Sequence, residues 1–73
     1  MSSIVFVKSD NPKTVVGWIK QTSGGLKFQG VAEGIFNSLK RAYNADPPKD
    51  ADLFKVLAAG WSNGPVKTQV KED

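Results

Sequence analysis

Residues 31–44 constrain the fold of this chain more than any other stretch. Val31, Ala32, Ile35, Phe36, Leu39, Ala42 and Tyr43 gather into one arc when each residue turns the chain by about 100°. Glu33, Asn37, Lys40, Arg41 and Asn44 fall on the opposite side. A helix patterned this way is stabilised mainly by what its apolar face packs on, so the remaining residues must supply that surface. Glu33 suits the positive end of the helix dipole, and Lys40 and Arg41 suit the negative end. Gly34 and Ser38, four apart, mark one edge of the arc where a second backbone can approach closely.

The surface is predicted to be a sheet. Residues 3–7 are β-branched and aromatic and read as a strand, ended by the turn formers Ser9-Asp10-Asn11-Pro12. Residues 14–21 form a second strand, in which Gly17 marks a bulge or a close approach of another element. Thr22-Ser23-Gly24-Gly25 turns the chain into a third strand over 26–29. A turn centred on Ser23-Gly24 sets Gln21 opposite Leu26, Lys20 opposite Lys27 and Ile19 opposite Phe28; one centred on Gly24-Gly25 changes the partners but leaves the same residues on each face. Alternation then puts Val15, Ile19, Leu26 and Phe28 on a core face and Val16, Trp18, Lys20, Lys27 and Gln29 on the other.

After the first helix, Asn44-Ala45-Asp46-Pro47-Pro48 is a stop signal, and Asp46-Pro47 or Asp50 caps the next helix. Within residues 50–61, Leu53, Phe54, Val56, Leu57 and Trp61 share a face, while Asp52 and Lys55 point away. Gly60 and Ser62-Asn63-Gly64-Pro65 end that helix. Residues 65–70 alternate Val66, Thr68 and Val70 against Lys67, Gln69 and Lys71, a half-buried strand, with 71–73 as a frayed tail. The expected class is α+β: a small, mainly antiparallel sheet in the order β-β-β-α-α-β with two helices packed on one face. The first strand is apolar on both sides, Ile4 and Phe6 against Val5 and Val7. Either it is central and flanked by large side chains, or a second chain covers it, which would make a homodimer.

Length and chemistry narrow the function. Seventy-three residues suffice for one small globular domain near the lower limit for folding alone. Cys and His are both absent, so neither a disulfide nor a Cys/His zinc site can form. No apolar run is long enough to cross a bilayer, and residues 1–7 lack the basic lead-in of a signal peptide, so a soluble cytoplasmic protein is expected. The net charge is +3: residues 1–30 hold four lysines against one aspartate, whereas residues 31–73 are balanced. That asymmetry suits a weak preference for anionic partners or simple solubility.

The most suggestive candidate surface is the hairpin face with Trp18, Lys20, Lys27 and Gln29, with Lys8 and Lys13 as outlying charges. An aromatic ring beside paired lysines on an exposed sheet is an arrangement that single-stranded nucleic-acid binders use. A solvated lysine face is the simpler account. The link between the helices is too long and proline-rich for a helix-turn-helix. The glycines match no phosphate-loop pattern. Asp46, Asp50 and Asp52 are better read as helix caps than as cation ligands, and Trp61 as core rather than interface. No catalytic residues, cofactor or metal site are expected. The leading expectation is a non-enzymatic binding module acting through protein–protein contacts on an unknown partner. Size alone suggests a small accessory or inhibitor protein such as phages encode. The alternative is a weak nucleic-acid binder that uses the basic, aromatic sheet face.

Overall fold

The computed structural model describes residues 2–42 and 50–72, the first two residues of the second segment by backbone alone. Strands β1 (Ser2–Lys8), β2 (Asn11–Thr22) and β3 (Gly25–Gly30) precede helices α1 (Ala32–Ala42) and α2 (Asp50–Ala58). Strands β4 (Ser62–Asn63) and β5 (Val66–Glu72) follow. All strand pairs are antiparallel, in the order β3-β2-β1-β5-β4, and both helices pack on one face. This is the expected α+β architecture, with one strand more than the sequence pattern shows. The stop signal after α1 and the Asp46-Pro47 cap fall outside the described residues.

Ile4, Phe6 and Ile19 face the helices and meet Ala32, Phe36, Leu53, Phe54 and Leu57 in one core. Phe28 stacks at a tilt on Phe36, with ring centroids 5.0 Å apart. Arg41, Lys40, Asn37 and Glu33 are exposed, as helical periodicity requires. Val31 lies in the turn before α1 and is exposed, as is Ala42 at the helix's last residue, so the buried part of the apolar arc lies between them.

The first strand is the middle one of five, with a hydrogen-bonded neighbour on each side. Val5 and Val7 point away from the helices yet are 8% and 1% exposed. Trp18 and Gln69 stand directly across from Val5, and Val15 and Lys67 across from Val7, so each small valine has at least one larger side chain beside it. Central placement with large flanking residues therefore accounts for the two-sided apolarity without a second chain, and β1 has no free edge for self-association.

Three local expectations are corrected. The β1–β2 register passes from Phe6↔Gly17 to Val7↔Val15, which leaves Val16 without a partner. Beyond this bulge the faces exchange: Val15 lies on the helix-free side, 53% exposed, and Val16 packs against the core. Strict alternation assigns both residues to the wrong side. The second helix stops at Ala58, not at 61, because Gly60 takes a left-handed φ of 100° and turns the chain. Trp61 therefore lies beyond the helix, half-buried, with its ring edge-to-face on Phe6 at 6.0 Å, while Val56 is left at the helix's open side. Finally, Lys71 and Glu72 are not a frayed tail; they pair with Ser3 and Ser2 in β5.

Candidate functional site

The helix-free face of the sheet can be built row by row from the register. Lys20 pairs with Lys27 on one side and with Ser3 on the other, and Ser3 pairs with Lys71. One transverse row is therefore Lys27–Lys20–Ser3–Lys71. The next is Gln29–Trp18–Val5–Gln69. The third contains Val15, Val7, Lys67 and Ser62. Residues paired in an antiparallel ladder share a face, and strands lie about 4.8 Å apart, so each four-strand row spans about 14 Å.

The face thus collects Lys20, Lys27, Lys67 and Lys71 around one aromatic ring and two amides. Among the described residues, no Asp or Glu occupies a ladder position on this side: Glu72 has the opposite alternation, and Asp10, Glu33 and Asp52 lie in a turn or on the helices. Lys20, Lys27, Lys71 and Gln29 are exposed, and Lys67, Gln69 and Trp18 are half-buried. Lys20 and Lys27 sit directly opposite, a mildly unfavourable arrangement of like charges. Lys20 offsets part of this by placing its Nζ 4.9 Å from the centre of the Trp18 ring, within cation–π range. Ser3, the one short side chain in the lysine row, is buried between the longer stems of Lys20 and Lys71.

Four of the expected surface residues, Trp18, Lys20, Lys27 and Gln29, share this face. Lys8 and Lys13 do not join them. Lys8 has the alternation of Ile4 and Phe6 and ends β1 on the helix side. Lys13 falls in the stretch 12–14 that the β1–β2 register skips, where its backbone N–H donates to Asn11 Oδ1 at 3.3 Å. Lys67, Gln69 and Lys71 join the face instead. Their alternation is visible in the sequence, but their place beside β1 depends on the strand order.

A second surface lies on the helix side. An open groove of about 670 Å³ runs between α1 and the turn after α2, lined by Val31, Gly34, Ile35, Ser38, Leu39 and Trp61 among others. Gly34 and Ser38 do stand at its margin, where the helical pattern puts them. Among the described residues there is no cluster of His, Cys, Asp or Glu that could hold a metal ion.

No protein-family model matches this chain, nor does any curated protein or solved structure.

Proposed function

We propose that the protein is a non-enzymatic binding module that engages an anionic partner with the helix-free face of its sheet. One observation carries the proposal: the strand order brings Lys20, Lys27, Lys67 and Lys71 onto one face where, among the described residues, no carboxylate takes a ladder position. A protein tolerates such a face in water, and an anionic ligand turns its internal repulsion into attraction. A cytoplasmic setting accompanies this reading, since a chain without Cys needs no oxidising compartment.

The test is binding to long-chain polyphosphate over a series of salt concentrations. Affinity is expected to fall steeply with salt, and Lys20→Glu/Lys27→Glu is expected to abolish binding. Equal binding by the double variant and the parent would remove this face from consideration.

A second reading, docking on another protein as an accessory or inhibitor, is favoured by the groove along Val31, Ile35 and Leu39 with Trp61 at its far wall. Ser38→Arg fills that groove from an exposed helical position. A partner identified from the native host that binds the parent and Ser38→Arg equally does not use the groove.

A further inference from the structure

The composition of the basic face distinguishes among anionic partners. Protein interfaces are depleted in Lys and enriched in Arg, whose planar fork suits carboxylates and phosphates alike. This face has four lysines at ladder positions, while the chain's one arginine, Arg41, lines the groove on the helix side. Lys presents a compact point charge with three rotatable donors, which suits phosphate oxygens. Charge is also not the face's only feature. The row next to the lysines centres on the Trp18 ring, set between Gln29 on one neighbouring strand and Val5 on the other, with Gln69 beyond. A ring offers a stacking surface that every base can use, and amide side chains can both donate to and accept from base edges.

We propose that the helix-free face binds single-stranded nucleic acid: the row Lys27–Lys20–Ser3–Lys71 follows the phosphates while a base stacks on Trp18 between Gln29 and Gln69. The inference rests on the basic face being the binding surface and goes further by naming its ligand. Trp18 is half-buried and carries the Lys20 ammonium against its ring. Lys20 therefore changes partners on binding, from ring to phosphate, and frees the ring for a base. The face is about 14 Å across, and Lys67 and Lys71, four residues apart on one strand, extend it by a similar distance. That area accommodates on the order of four nucleotides, the lower end of single-strand site sizes. Double-stranded nucleic acid presents no free base to stack, so single strands are preferred.

Three labelled dodecamers carry the test: oligo-dT, an abasic strand with the same phosphates, and a duplex. Oligo-dT is expected to bind about tenfold tighter than the abasic strand and to quench Trp fluorescence. Its log K is expected to fall with log salt at a slope of about −3, from the three lysines of that row together with Lys67 at roughly 0.7 each. Lys67→Gln and Lys71→Gln should each flatten that slope by about 0.7. Trp18→Leu keeps an apolar cover beside Val5, which circular dichroism can verify as folded. It should lower oligo-dT affinity to that of the abasic strand, abolish the quenching and leave the slope unchanged. Equal affinity of the parent for oligo-dT and the abasic strand, or tighter binding of the duplex, would overturn the nucleic-acid inference and leave a polyanion-binding face in place. Salt-independent or absent binding to all three strands and to polyphosphate would overturn both.

Discussion

Gly17 of β2 faces Gly30 of β3, and neither position has room for a side chain. A Cβ on Gly17 would lie 2.5 Å from the Gln29 carbonyl oxygen and 2.8 Å from the Val31 nitrogen. A Cβ on Gly30 would run into the Val16 carbonyl, at a residue whose φ of 67° already favours glycine. Between them the chain leaves the sheet, Val31 N–H donates to the Val16 carbonyl at 3.1 Å, and α1 begins directly above β2. Gly17→Ala and Gly30→Ala are each expected to cost about 2–4 kcal/mol, since the obstructing atoms are backbone and cannot swing aside. Gly34→Ala, with nothing near its virtual Cβ inside a helix, should gain about 0.5–1 kcal/mol. Urea midpoints of the three variants test this, and a Gly17→Ala protein as stable as the parent would contradict the crossing geometry.

Thr68 ties the end of α2 to β5. Its hydroxyl lies 2.8 Å from the Leu57 carbonyl oxygen and 3.1 Å from that of Trp61, and its backbone N–H donates to the Trp61 carbonyl at 3.1 Å. The Leu57 carbonyl also accepts from the Gly60 N–H at 3.2 Å and the Trp61 N–H at 3.5 Å, so it keeps backbone donors if the hydroxyl is lost. Thr68→Val is therefore expected to cost about 1 kcal/mol, the net value of one hydrogen bond, and not the larger penalty of an orphaned carbonyl. Thermal denaturation should show a lower Tm with unchanged cooperativity. An unchanged Tm would mean that the hydroxyl does not anchor the helix end.

The two sides of α2 should respond differently to truncation. Leu53 is fully buried among Ile4, Phe6 and Phe36, whereas Val56 is 37% exposed. Leu53→Ala removes buried methyl groups and leaves a cavity, at about 2–5 kcal/mol. Val56→Ala loses little burial and gains helix propensity, so its cost should stay under about 1 kcal/mol. Chemical denaturation of the pair checks the rotation of the helix. Similar losses at both positions would place Val56 in the core, as the sequence pattern alone implies.

That contrast shows where sequence periodicity is informative and where it stops. The β2–β3 hairpin is legible because its short turn allows only two neighbouring registers that share the same faces; the structure adopts the one with Ile19↔Phe28 and Lys20↔Lys27. Ala32 and Phe36 were legible as core because helical spacing is strict. Val15 and Val16 were misread because a bulge breaks alternation without a residue signature of its own beyond the nearby Gly17. The larger omission was non-local. Lys67, Gln69 and Lys71 were visible as one side of a strand, but only the pairing of β5 with β1 brings them beside Trp18 and Lys20. Such a pairing joins residues 68 apart, Ser3 and Lys71, and no local pattern specifies it.

The same lysine pair sets stability against binding. Lys20 and Lys27 are exposed and directly opposite, so Lys27→Glu exchanges a cross-strand repulsion for an attraction. Tm is expected to rise by about 1–5 °C at low salt, and the gain should shrink as salt screens both arrangements. Affinity for polyphosphate and for oligo-dT should fall over the same change. A face whose only role is to be solvated has no reason to couple the two measurements. Opposite signs for Tm and affinity in this one variant would mean that the like-charged pair sacrifices stability for an anionic ligand. A rise in Tm with affinity untouched would leave the pair as a surface feature without a binding role.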